Sequence, residues 1–141
     1  MVKILAERPK KLKNRVAWME PIEEILKRES IDRANKSDWN GKIKTWDEVL
    51  AEKRRDSHYP YVLDSLKEHG FVRPLTCTMP DGGKYEDYQF GDGHHRLAAA
   101  VELGMTHVPL QYIDDNWDCV SADSGDWHEG RKIAKQNRSS R

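Results

Sequence analysis

Six consecutive residues combine glycines with side chains that could bind an anion: Gly91-Asp92-Gly93-His94-His95-Arg96. A helix that begins at such a glycine turn leaves backbone N–H groups without intrahelical partners and points the positive end of its dipole to the same place. Arginine adds a planar, always charged donor, and histidine adds donors whose charge changes near neutral pH. The turn therefore predicts a phosphate site formed by Gly91, Gly93, His94, His95 and Arg96.

The carboxylate of Asp92 needs its own explanation, because it repels an anion unless it caps the helix, holds a metal or accepts a proton. Asp92, His94 and His95 are therefore the candidate catalytic residues. Adjacent helical residues point about 100° apart, so we expect one histidine in the site and the other in packing. A metal held by Asp92 and His94 is an alternative, and the metal ligands are otherwise unknown.

The elements around the turn follow from apolar periodicity and capping signals. Three helices are predicted: a short one with Pro21 at its first position, a second that starts at the capping box of Thr45 and Glu48, and a third from Pro60 to Gly70. Residues 75–79 and 85–90 alternate around the turn of residues 80–83, which is typical of a β-hairpin. A helix that follows the glycine turn and ends before Gly104 comes next, and then a strand over 107–113, so the hairpin leads into a βαβ unit. The predicted fold class is α+β.

Charge divides the chain into three parts, although 24 basic and 24 acidic residues balance. Residues 1–15 are predicted to be a mobile basic arm, residues 16–113 a folded domain, and residues 114–141 a weakly ordered tail that is first acidic and then basic. The neutrality argues against a uniformly basic nucleic-acid binder. Within the arm, the side chains expected to contact DNA are Lys10, Lys11, Lys13 and Arg15.

No apolar run approaches the roughly 20 residues of a membrane span, and no secretory signal follows the basic residues. We therefore expect a cytoplasmic protein without a membrane partner. The two cysteines, Cys77 and Cys119, are too few for a disulfide framework and lack metal-type spacing.

The segment from Tyr61 to Ile113 resembles the ParB/sulfiredoxin superfamily. Four signals occur in the order of that family: Leu66 to Leu75, the hairpin, the glycine turn with its helix, and His107 to Leu110. The resemblance implies a small mixed sheet with flanking helices and a turn that binds the phosphates of CTP, ATP or ADP, with Mg²⁺ as a possible cofactor. It also implies that Arg73 contacts the nucleotide.

The turn departs from both named branches of the family. Where sulfiredoxins have a cysteine, this chain has His94, so sulfinic-acid repair is not expected. Where partition proteins have a glutamate and a third arginine, it has His94 and Ala98, which disfavours a CTP switch. The sequence looks most similar to small ParB-like proteins of phages and mobile elements. The function expected is nucleotide or DNA phosphate binding, with nuclease activity as an extension.

Two alternatives stay open. One is a nucleotide-dependent small-molecule kinase of serine type, with a carboxylate such as Asp92 accepting the hydroxyl proton. The other is an accessory protein that binds a host protein, for example through the tryptophans of the acidic tail, without catalysis. A homodimer is compatible with either.

Overall fold

A computed structural model describes residues 3–30, 45–79 and 87–114. Five strands form one mixed sheet, and four helices accompany them in the described residues. The strands are β1 (Ile4–Leu5), β2 (Ala17–Pro21), β3 (Leu75–Thr78), β4 (Gln89–Phe90) and β5 (His107–Tyr112). The helices are α1 (Ile22–Ile25), α2 (Trp46–Arg55), α3 (Tyr59–His69) and α4 (His94–Glu102). The predicted α+β class is confirmed.

The sequence signals for the start of α2 and the end of α3 involve only neighbouring residues, and the structure confirms both. The Thr45 hydroxyl oxygen accepts a hydrogen bond from the Glu48 N–H at 3.2 Å, and the Glu48 carboxylate accepts one from the Thr45 N–H, which starts α2 with a full capping box. Helix α3 has a proline at its start and ends at Gly70, whose φ of 66° favours glycine. Pro21 is the last residue of β2 rather than the first of α1.

The sheet order is β1-β2-β5-β3-β4. Strands β3 and β4 pair antiparallel, as the hairpin predicts, and their connecting turn lies outside the described residues. The predicted βαβ unit needs one correction: its parallel strands are β3 and β5, with Leu75 opposite Leu110. The strand directly before α4 is β4, which occupies the sheet edge because it pairs with its hairpin partner β3.

The predicted mobile arm is wrong for the segment that the structure places in the sheet. Ile4 and Leu5 pair in parallel with Ala17 and Trp18, and Leu12 is buried. Leu12 and the partly buried Leu5 anchor the segment, because their burial offsets the entropy of ordering it. The predicted tail lies outside the described residues from position 115 onward.

The core lies between the sheet and the helices. Helices α2 and α3 both pack on α4, and the alanines of α4 allow the close approach. The largest fully buried side chains include Trp18, Tyr88, Phe90, Leu97 and Leu110. Because α4 packs on two other helices, its first turn is held in one position relative to the turn between α2 and α3.

Candidate functional site

Thr76 of β3 fixes the glycine turn through backbone and side-chain hydrogen bonds. Its carbonyl oxygen accepts from the Gly91 N–H at 2.9 Å, and its own N–H donates to the Asp92 carbonyl at 3.2 Å. The Thr76 hydroxyl oxygen accepts from the Asp92 N–H at 3.2 Å. These contacts attach the turn to the strand on which the hairpin is built, so the start of α4 has a defined position.

Helix α4 begins without a side-chain cap in the described structure. Its N-cap residue is Gly93, with φ 109°, a left-handed conformation that favours glycine. The Asp92 carboxylate lies one residue earlier and accepts from the Gly93 N–H at 2.9 Å. The first turn contains no acidic residue whose charge would offset the positive end of the helix dipole.

The structure places the His94 ring in the core. It is 5% exposed, stacks on Trp46 with ring centroids 6.0 Å apart, and meets Phe90 edge-on at 4.8 Å. Its Nε2 atom lies 2.9 Å from the Ser30 hydroxyl. The contacts of the His94 ring with Trp46, Phe90 and Ser30 assign this histidine to packing.

His95 points to the turn between α2 and α3. Its Nε2 atom lies 2.7 Å from Asp56 Oδ2, and its ring centroid is 4.4 Å from that of His58. The His95 side chain is 20% exposed and that of Asp56 44%. Asp56, His58 and His95 thus form a half-exposed cluster, called here the Asp-His-His cluster.

Burial lowers the pKa of His95, an effect that the hydrogen bond to Asp56 opposes and the neighbouring charges of His58 and Lys53 reinforce. The hydrogen bond from His95 lowers the pKa of Asp56, against a smaller effect of burial. At neutral pH the cluster therefore contains a carboxylate and a neutral His95 imidazole. Both states suit proton transfer or ligation.

Sequence reasoning missed Asp56 and His58. The available signal was two ligand-type side chains two positions apart in a short turn between helices, Asp56-Ser57-His58. That spacing gives no information on His95, which is 37 positions or more away, because only the packing of α2 and α3 on α4 brings the two segments together.

Arg96 is buried, with 5% of its surface exposed. Its Nη1 donates to the carbonyl oxygen of Arg73, and its Nη2 donates to that of Pro74 at 3.4 Å. The guanidinium also lies 6.0 Å from the centroid of the Phe71 ring. Arg73 itself is half-buried. The two arginines predicted to bind phosphate are thus neighbours, and Arg96 joins α4 to the segment that enters β3.

The basic residues of the arm are exposed at Lys10, Lys11, Lys13 and Arg15. The Arg15 N–H donates to the carbonyl of Tyr112, the last residue of β5, at 2.6 Å. The arm joins the sheet through β1, whereas the glycine turn lies next to β3 and β4. The guanidinium of Arg8 in the arm lies 5.4 Å from the centroid of the Tyr88 ring, directly before β4.

No family model and no curated protein matches the chain. Two solved structures are similar to it. One is the crystal structure of sulfiredoxin from Arabidopsis thaliana, with a TM-score of 0.40 and 21% identity over 71% of this chain and 86% of that chain. The other is the C-terminally truncated chromosome-partitioning protein ParB from Caulobacter crescentus complexed with CTP-gamma-S.

For the ParB structure the TM-score is 0.43 and the identity 19%, over 85% of this chain and 53% of that chain, so the chain spans about half of that protein. The likeness to both structures concerns the fold. Separately, the helices in the described ranges include none with the length and apolar character needed to cross a membrane.

Proposed function

We propose that the chain binds the phosphate groups of a nucleotide or nucleic acid at the start of α4. The observation that carries the proposal is the uncapped first turn of α4, which has no acidic residue and lies beside the Asp-His-His cluster. An anion at this position would accept from first-turn backbone N–H groups and interact favourably with the helix dipole. Lys53, whose charge acts on both Asp56 and His95, adds positive potential.

Direct binding measurements test the proposal. CTP, ATP, ADP and inorganic phosphate are titrated into the full chain by calorimetry, each with Mg²⁺ and with EDTA. We expect at least one nucleotide to bind more tightly than inorganic phosphate, since several phosphate groups and a base contribute. Binding of none of the four, together with no binding of DNA, would overturn the proposal.

We expect Asp92→Asn to raise nucleotide affinity about fivefold. The substitution removes one negative charge next to the bound phosphate, which is worth roughly 1 kcal/mol at 5–6 Å in a partly solvated site. The amide oxygen can still accept from the Gly93 N–H, so the turn keeps its hydrogen bond. The dissociation constant is measured by calorimetry at one fixed salt concentration.

Asp64→Asn is the matched control, because Asp64 is an exposed residue of α3 outside the turn. Its nucleotide affinity is expected to equal that of the wild type. A weaker affinity for Asp92→Asn would contradict the electrostatic argument and would assign the carboxylate to contact with the ligand, either directly or through a cation.

For DNA, we propose that the arm is the contact surface. Replacing Lys10, Lys11 and Lys13 by alanine is expected to reduce the slope of log K against log salt by up to about 3, because each phosphate contact contributes about 0.9. Nucleotide affinity should not change, since the hydrogen bonds that position the glycine turn come from Thr76 of β3. Fluorescence anisotropy with duplex DNA at several salt concentrations measures the slope.

The three lysines are exposed, so the substitutions leave β1 and the buried Leu12 in place, which a deletion of the arm would not. Lys67→Ala, on the exposed face of α3, serves as the control and should keep the wild-type slope. An unchanged slope in the triple variant would assign DNA binding to another surface.

Cleavage of DNA is a second candidate function, and the Asp-His-His cluster favours it. Phosphodiester hydrolysis needs an activated water, which a general base or a metal ion produces. The cluster contains side chains suited to either role beside the proposed phosphate position. Supercoiled plasmid incubated with Mg²⁺ or Mn²⁺ and analysed on a gel tests it. Intact plasmid under conditions where the protein binds DNA would exclude this candidate.

A further inference from the structure

Three potential metal ligands meet where α2, α3 and α4 come together. One ligand atom from each of Asp56, His58 and His95 lies within 4.8 Å of the other two. Asp56 directly follows α2, His58 directly precedes α3, and His95 is in the first turn of α4. Two segments thus supply the ligands, the α2–α3 turn and the start of α4, and the packing of α2 and α3 on α4 brings these segments together.

We propose that the Asp-His-His cluster binds one first-row divalent transition metal ion, for which Zn²⁺ is the test ion. Two imidazole nitrogens and one carboxylate oxygen favour such ions over Mg²⁺ and Ca²⁺, which prefer oxygen ligands. Three protein ligands that leave a position open are typical of catalytic rather than structural zinc sites. The inference is independent of the proposed function, because the three side chains could hold the ion without a nucleotide.

The present distances require only small adjustments. Zinc lies about 2.0–2.2 Å from nitrogen and oxygen ligands, so two ligand atoms at a tetrahedral angle are about 3.4 Å apart. The His95 Nε2 to Asp56 Oδ2 distance of 2.7 Å would open by less than about 1 Å, and the other separations, all within 4.8 Å, would close by at most about 1.5 Å. Side-chain rotations can supply movements of this size, especially for the half-exposed Asp56.

The backbone under the cluster is held by its own hydrogen bonds. The Asp56 N–H donates to the Lys53 carbonyl at 3.2 Å, and the Tyr59 N–H donates to the Asp56 carbonyl at 3.1 Å. These bonds define the turn between α2 and α3. Because the backbone positions of Asp56 and His58 are set in this way, the ligand set does not have to be assembled from a flexible loop, and the entropic cost of ordering it on binding is small.

The charge of Lys53 opposes a bare cation but fits an ion that carries an anionic ligand. Lys53 acts on both Asp56 and His95 through its charge. An ion with three protein ligands has an open position that suits a phosphate oxygen, and its ligand His95 belongs to the first turn of α4, where the phosphate is proposed to bind. The two sites would then support each other, with metal and nucleotide each raising the affinity of the other.

Titration of the metal-free full chain with Zn²⁺ and Co²⁺, without any nucleotide, tests the inference. We expect one ion per chain by calorimetry and visible d–d absorption bands for the Co²⁺ form. His58→Gln, His95→Gln and Asp56→Asn should each weaken binding at least about tenfold, since even outer-shell substitutions cost 10–100-fold. His69→Gln is the matched control, because His69 is an exposed histidine at the other end of α3.

Several results would overturn the inference: no binding to the wild type, equal loss of binding in His69→Gln, or wild-type affinity in both His58→Gln and His95→Gln. A strong near-ultraviolet thiolate band in the Co²⁺ spectrum would also overturn it, by placing the ion on a cysteine. If a variant fails to fold, the wild type still decides the matter by NMR. Co²⁺ must then shift or broaden the imidazole resonances of His58 and His95 before those of His69.

Nucleotide titrations in EDTA separate this inference from the proposed function. Nucleotide binding without metal binding would remove only the metal site, and metal binding without nucleotide binding would remove only the phosphate site.

Discussion

Arg96→Met is expected to lower the free energy of unfolding by about 3 kcal/mol. Arg96 is buried, and its guanidinium donates to the carbonyls of Arg73 and Pro74, directly before β3. Methionine fills a similar volume but leaves both carbonyl oxygens without these donors. Hydrogen bonds to a charged group contribute about 1.5–3 kcal/mol each, and an unsatisfied buried acceptor costs about 1–3 kcal/mol. Urea unfolding followed by circular dichroism measures the difference.

Arg55→Met is the matched control, since Arg55 is exposed at the end of α2, where a lost helix-dipole interaction costs less than about 1 kcal/mol. Arg96→Lys should restore little stability, because a single ammonium group does not reproduce the fork of two guanidinium nitrogens. Nucleotide affinity is measured on the same folded samples. Unchanged stability with a large loss of affinity would instead assign Arg96 to the phosphate, as the sequence pattern first indicated.

Elements defined by neighbouring residues could be predicted from the sequence. The capping box of Thr45 and Glu48, the end of α3 at Gly70 and the strand alternation after Leu75 all act within a few positions. Their energies depend on local geometry, so the residues themselves specify the outcome. The α+β class followed from the order of these elements.

Contacts between distant segments could not be predicted. Ile4 has no strand signal of its own, and it enters the sheet because β2 offers an open edge. The partner of β5 could not be predicted from the sequence either. Strand β4 pairs with one side of β3, and β5 pairs with the other side. Pairing between strands that are so far apart in the sequence depends on the whole sheet, so a single segment contains little information about its partner.

In the candidate site, too, the features set by neighbouring residues could be predicted and the contacts with distant segments could not. The glycine turn was visible because Gly93 and the residues after it are contiguous, and the expectation that two neighbouring histidines diverge follows from helix geometry. The direction of each ring depends on other elements. Trp46 and Phe90 provide an apolar place for His94, and the α2–α3 turn provides a carboxylate for His95. The chemistry of the site is therefore set by the packing of α2 and α3 on α4.

Tyr88→Phe is expected to cost about 2–3 kcal/mol of stability, although it removes a single oxygen. The Tyr88 hydroxyl donates to Glu20 Oε2 at 2.6 Å, and both residues are buried, at 1% and 3% exposure. Burial and the Glu20 carboxyl together raise the pKa of Tyr88 well above its usual value, so the hydroxyl remains a donor at all ordinary pH values. Phenylalanine would leave the Glu20 carboxyl buried without this donor.

The bond spans the sheet, because Glu20 belongs to β2 and Tyr88 directly precedes β4, which is separated from β2 by β5 and β3. Arg28 stacks on the Tyr88 ring at 4.4 Å, and this contact would remain in the variant. The loss of stability in Tyr88→Phe therefore reports on the hydroxyl group alone. Tyr61→Phe, at a half-buried tyrosine of α3, should cost less than about 0.5 kcal/mol.

A double-mutant cycle separates the energy of the hydrogen bond from the cost of leaving the Glu20 carboxyl buried without a donor. Adding Glu20→Met to Tyr88→Phe replaces both polar groups with apolar ones, and we expect the double variant to be at least as stable as Tyr88→Phe. Additive losses in the two single variants would mean that the carboxyl and the hydroxyl act independently.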